Sequence, residues 1–269
     1  MRCIRDLTSL AAACLLTLGH PAWAGQTQPG PGEGTASFTV FAGTTPIGSE
    51  EMTVTKVDGG WRITATGQQR GPLAITLNNF EMTYASDWHP REMKIDAVIR
   101  NQGVTGVTTF GVTTAVTDAE QAGQKVSLTH QISPRTIAVA NGVAAAYEAL
   151  AARLAGAKPG DTFKIFVVPQ AEIDATVQSV TDERVSTTGG TVALKRYAMT
   201  FANPGAPLPI TIDVDARHRL ARLVIASQLS VVRDDLASVS ARSETYRNPG
   251  ENPGYILLDL FAIATGGAG

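Results

Sequence analysis

Cysteine is almost missing from this chain and histidine is scarce, with two of the first and four of the second in 269 residues. Cys3 and Cys14 both fall within the first 24 residues. The remainder can form no disulfide, no cysteine metal site and no thiol nucleophile. His89, His130 and His218 stand in three separate segments, none at helical or hairpin spacing with another, which argues against a histidine-rich zinc site. An excess of charge of one sign is missing too: the formal net charge is −2, so nothing draws the chain in bulk to nucleic acid or an anionic membrane. No Gly-x-Ser-x-Gly elbow supplies a serine nucleophile. The glycine-rich Gly30-Pro31-Gly32-Glu33-Gly34 has no strand before it and no helix after it, so it cannot cradle a phosphate. The expectation is a protein without catalytic residues, metal or cofactor.

No apolar run reaches the roughly 20 residues of a spanning helix. What stands at the start is shorter: Arg2 and Arg5, an apolar stretch from Leu7 to Leu18, then Ala22-Trp23-Ala24. That is the grammar of a cleaved export signal, so residues 1–24 are read as a signal peptide and the protein as periplasmic or secreted. Residues 25–35, rich in Gly, Pro and Gln, read as a flexible leader. Residues 237–269 read as a C-terminal tail. In it, Tyr255 to Ala264 is too short to span and too apolar to hang in water, so it either packs as a last strand or opens a part that is missing.

Between these ends, residues 36–236 are rich in Val, Ile and Thr and punctuated by Gly, Asn-Pro and Asp-Gly, which is the pattern of antiparallel sheet. Met93, Ile95, Ala97 and Ile99 share one face of a strand while Lys94, Asp96 and Arg100 share the other. Asp58-Gly59 marks one tight hairpin, and Asp215 to His218 another. Near Asn78-Asn79 the apolar phase flips, from Leu73, Ile75 and Leu77 to Phe80, Met82 and Tyr84, which predicts a bulge. One segment, 141–155, breaks the pattern. Val143, Tyr147, Leu150, Ala151 and Leu154 fall on one helical stripe, with Asn141 placed to cap the start and Gly156 after the end. The expectation is a single amphipathic helix of about 14 residues, on which Glu148 lies off the stripe and tolerates charge reversal. The fold class is mainly β: a curved antiparallel sheet, a half-barrel or two fused halves, with that one helix covering it.

Several side chains could form a site. Trp61, Tyr84 and Trp88 fall in consecutive strands and could line a cleft for an apolar or amphiphilic small molecule, though ordinary core packing uses the same residues. Arg222, with Arg196 and Arg233, could hold an anionic head group, or simply charge the outer face of a sheet. Asp213, Asp215 and His218 could converge on a cation, but a solvated turn explains them more simply. His130 shares an apolar face with Val126, Leu128 and Ile132, where a core histidine is commoner than a poised acid or base.

Pro46-Ile47-Gly48-Ser49-Glu50, Tyr84-Ala85-Ser86-Asp87-Trp88-His89-Pro90, the 141–154 helix, and Asp213 to Leu220 ahead of Val231-Val232-Arg233-Asp234-Asp235 together resemble uncharacterised exported bacterial β-rich domains. Some of these occur upstream of an α/β-hydrolase domain, and they look like the half-barrel sheets of periplasmic lipoprotein carriers. The resemblance implies a fold and a compartment and carries no activity. The leading expectation is an exported, non-enzymatic module for an apolar or amphiphilic ligand or for an envelope protein partner. The alternatives are an accessory domain separated from a hydrolase, and a structural envelope protein.

Overall fold

A computed structural model describes residues 32–71, 74–187 and 189–236. Eight strands come first: β1 (Gly34–Ala42), β2 (Thr45–Val57), β3 (Gly60–Gln69), β4 (Ile75–Ala85), β5 (Pro90–Ile99), β6 (Gln102–Phe110), β7 (Thr114–Gln121) and β8 (Gln124–Gln131). After a short link come β9 (Ile137–Ala140) and a 3-10 turn (Ala144–Tyr147) that runs on into α1 (Glu148–Arg153). Six strands follow: β10 (Thr162–Val168), β11 (Ala171–Thr187), β12 (Gly190–Phe201), β13 (Leu208–Val214), β14 (Leu220–Ile225) and β15 (Leu229–Arg233).

All fifteen belong to one sheet, ordered β8-β7-β6-β5-β4-β3-β2-β1-β15-β14-β13-β12-β11-β10-β9. Two meanders, β1–β8 and β9–β15, are joined where β1 pairs with β15, Phe38 opposite Arg233. Every pairing is antiparallel except β9 with β10. The meanders form because short turns link neighbours: Asp58-Gly59 between β2 and β3, with Gly59 left-handed at φ 71, and Arg100-Asn101 between β5 and β6, both left-handed. Two successive positive φ values give the turn whose twist matches that of the strands. The phase flip in β4 is a bulge, with register slipping between Leu77 and Asn79 opposite β5. Of the residues that marked it, Leu73 lies outside the described residues. The sheet curls far enough for Phe166 of β10 to meet Phe110 of β6 and His130 of β8, at ring separations of 6.2 and 5.5 Å, yet β8 and β9 remain unpaired edges.

The inner face, carrying Phe38, Met52, Ile63, Phe80 and Met93, packs with the helical segment into one core. Here the helix departs from expectation. It comprises ten residues, and Ala144 to Ala152 are buried all round, Glu148 included. A helix enclosed by a curled sheet has no wet face to present, so the amphipathic reading, and with it the tolerance expected at Glu148, is corrected. Asn141 does not cap it either. The capping acceptor comes from another element: Glu50 of β2 takes the N–H groups of Ala144 and Ala145 at 2.9 and 2.7 Å.

The N-terminal boundary also shifts. β1 begins at Gly34, Glu33 accepts the Lys56 N–H at 2.7 Å and the Gly32 carbonyl accepts Arg219 at 2.7 Å, so residues 32–35 of the expected leader are tied to the domain. A second, smaller apolar cluster forms on the outer face from Phe41, Leu194, Ala221, Val232 and Leu236. Strand alternation turns Phe41 to that side, opposite to Phe38 and Val40, at a point where Ile47 of β2 is the extra residue of a register shift.

Candidate functional site

The buried polar groups of the interior are structural in geometry. Glu148 is wholly buried, and its carboxylate accepts the Arg219 guanidinium and the Leu220 N–H, the latter at 3.1 Å. Burial pushes its pKa up, and the pull of Arg219 opposes that rise. Glu50 has its pKa pushed up to about 7 by burial, against the two amides it caps. Tyr84 hydroxyl is raised by burial and by the nearby Glu148 charge, and its oxygen has no described partner. The Glu50 and Glu148 contacts tie β2, the helical segment and the start of β14 together.

The aromatic residues singled out in the sequence do come together. Trp61 and Trp88 stack at 5.4 Å with their planes 1° apart, and Tyr84 tilts against Trp88 at 5.4 Å. All three are buried, with 8, 7 and 0% of their surface exposed for Trp61, Trp88 and Tyr84. Arg222 is not with them. It lies on β14, beside the outer-face cluster, where its Nε donates to Asp213 at 3.1 Å. Arg196 grips the same carboxylate with two bonds of 2.8 and 3.0 Å, a fork geometry suited to guanidinium. Arg233 instead meets Asp215 and Asp235.

These pairings decide the cation candidate. Asp213 is occupied by two arginines, while Asp215 folds its own turn by accepting the Arg217 and Arg219 N–H groups, so with His218 they do not converge. Among the described residues no group of three or more His, Cys, Asp or Glu side chains could hold a metal ion. His130 sits on the inner face against Phe166 with its Nε2 enclosed and without a described partner.

Two hollows remain. One, of about 480 Å³, is lined by Glu33, Asp215, Arg217, Arg219, Arg233 and Asp235, among others. Its buried arginines are already engaged by carboxylates of the same chain. The other, of about 630 Å³, lies against β5–β8; most of its lining residues, Lys94, Asp96, Val107, Asp118 and Lys125 among them, point to the outer face, and Ile95, Gly106, Ala119 and Val126 lie between them in the strands. Register makes those four apolar residues one continuous cross-strand row: Ile95 faces Gly106, Gly106 faces Ala119, and Ala119 faces Val126. The row belongs to the inner face, yet Val104, Gly106, Ala119, Val126 and Leu128 are only half-buried, because the helical segment packs over the other end of the sheet. A Cβ added at Gly106 would meet Ala119 Cβ at 3.4 Å and Ile95 Cγ2 at 3.6 Å, ordinary contacts, so nothing steric demands glycine there.

This row went unseen in the sequence, where each member is small or spaced by polar residues. Glu50, Glu148 and Arg219 were missed as well, although Glu148 is the one charge among nine residues, 144–152, that are otherwise alanine, leucine or tyrosine. That signal could have found it.

No known protein family matches the sequence, and no curated protein is similar to it. Solved structures of similar shape include a DUF1089 family protein from Pseudomonas aeruginosa, at 11% identity and TM-score 0.38 over 64% of this chain and 86% of that one. Another is a protein of YmcC-like fold from Bacteroides fragilis, predicted to be exported, at 9% identity and TM-score 0.32 over 76% of this chain and 95% of that one. A third is a predicted lipoprotein from Parabacteroides distasonis, at 9% identity and TM-score 0.31 over 77% and 96%. Likenesses this weak say nothing about function. Among the described residues, no helix is long and apolar enough to cross a membrane.

Proposed function

We propose that this is an exported, non-enzymatic protein that holds an apolar or amphiphilic small molecule on the open stretch of its inner face. The observation that carries the reading is the half-buried inner-face row Ile95, Gly106, Ala119 and Val126, with Val104 and Leu128 beside it, since small-molecule sites are lined mostly by apolar side chains. Apolar surface left in water on this face is stabilised by a ligand that covers it, at about 25 cal/mol per Å². The buried Trp61, Tyr84 and Trp88 serve in this reading as the rigid core beside the opening, and Arg222, on the outer face, takes no part in it. Export is supported by the basic, apolar and small-residue order of residues 1–24.

The test is native mass spectrometry of the protein isolated from its own host, followed by titration with oleate and with phosphatidylglycerol. A bound amphiphile, or a melting temperature that climbs with lipid concentration, is expected, and Gly106→Leu, which fills the row, should abolish the response while the variant stays folded. A protein that comes out empty and does not respond at saturating lipid would end the reading. So would a Gly106→Leu variant that binds as wild type does.

A further inference from the structure

The two edges of the sheet differ. β9 is four residues long and buried throughout. β8 is eight residues long, exposed or half-exposed at every position, and paired on one side only. Edge strands are ordinarily blunted by proline, a bulge, inward charge or a covering loop. β8 contains no proline, keeps an unbroken register with β7, and carries a single charged residue, Lys125.

The hydrogen-bond parity of this edge follows from one contact. Ile132 N–H donates to the Thr113 carbonyl at 2.9 Å, and these two residues lie opposite each other in the β7–β8 register. Bonded and non-bonded pairs alternate along an antiparallel ladder, so Ala115/His130, Thr117/Leu128 and Ala119/Val126 are the bonded pairs. The even-numbered residues of β8 therefore spend their backbone groups on β7. Lys125, Ser127 and Thr129 point theirs outward, and no described residue bonds to them.

We propose that β8 is the pairing edge for a second copy of this chain, joined antiparallel through a two-fold axis at Ser127. In that register outward-facing residues meet only outward-facing residues: Ser127 opposite Ser127, and Lys125 opposite Thr129. Each free N–H finds a free carbonyl. On the inner face Val126 meets Leu128 twice, an apolar cross-strand pairing. Charge agrees with this occupant, because the one cation of the strand falls opposite a threonine and never its own copy. Like charges directly opposite would oppose pairing. A strand from an unrelated protein would have to match parity, face and charge separately, whereas two-fold symmetry supplies all three at once. The pairing stands whether or not the inner face takes a ligand.

Sedimentation equilibrium of the purified protein over a range of concentrations tests it, with Ser127→Pro and Ser127→Lys alongside wild type. Proline there removes an outward N–H and leaves the β7 ladder whole. Lysine sets two ammonium groups face to face on the axis. Wild type should dimerise with rising concentration, and both variants should weaken dimerisation by about tenfold or more, with unchanged melting temperatures at concentrations where wild type is monomeric. If Ser127→Pro fails to fold, Ser127→Lys decides alone. A wild type that stays monomeric overturns the proposal, as does a dimer that the variants leave undiminished. Slowed amide exchange at Lys125, Ser127 and Thr129 in a monomer would place a different strand on the edge and overturn it too.

Discussion

The inner face of the sheet is finished at one end and left open at the other. Around β1–β4 and β10–β14 it closes on the helical segment, and side chains such as Phe38, Met52, Ile63, Ile165 and Leu150 are fully enclosed. Over β6–β8 the same alternation continues with Val104, Gly106, Ala119, Val126 and Leu128, but these are half-exposed. The alternation of faces is therefore not what fills a core. A curled sheet needs something inside the curl, and here a ten-residue helical insert supplies it for part of the length.

The difference can be broken at its most committed point. Arg219→Ala strands the Glu148 carboxylate without its partner inside the filled end, and a loss of about 3–5 kcal/mol is expected. Glu148→Lys should be at least as damaging, by urea denaturation. If either variant melts as wild type does, the helix is less enclosed than described.

Leu150→Ala and Leu128→Ala compare the two ends with one chemistry. Leu150 is fully buried, and its truncation should cost about 3 kcal/mol. Leu128 stands in the open stretch and should cost about 1 kcal/mol or less. Equal losses would mean that both ends are filled alike.

Glu50 adds a pH dependence to the filled end. Its carboxyl is raised from 4.5 to about 7 by burial, so the folded protein binds a proton here that the unfolded chain has released. Where the native state holds more protons, stability falls as pH rises. The contribution of Glu50 is thus greatest below pH 4.5, is lost between 4.5 and 7, and stays flat above, a swing on the order of 3 kcal/mol. Stability curves from pH 4 to 8 should show this slope in wild type and a much smaller one in Glu50→Gln. Parallel curves would refute the assignment. The smallest effect belongs to the open end: Gly106→Leu should change stability by about 1 kcal/mol or less, and a larger loss would mean the row is packed.

Much of the sheet was legible beforehand because strand alternation and turn chemistry are local. Met93, Ile95, Ala97 and Ile99 fall on the inner face as their spacing requires, Asp58-Gly59 turns, and β4 bulges at Asn78-Asn79. What escaped depends on contacts between distant parts of the chain. Asn141 offered a local cap, but Glu50, 94 residues away from Ala144, holds the position. Helical periodicity placed Glu148 opposite an apolar stripe, and only the surrounding sheet shows that the opposite side is also interior. The half-exposure of Gly106 and Ala119 likewise depends on where the helix stops.

The β1–β15 pairing bears on how the chain reaches this state. Most other strand pairs are hairpin neighbours, formed by closing short loops. The side chain of Thr39 meets Asp234 across 195 residues, and closing a loop of that length instead of one of about ten costs roughly 3 kcal/mol more in chain entropy. The two meanders can zip independently, while the seam between them must wait until β15 has been made.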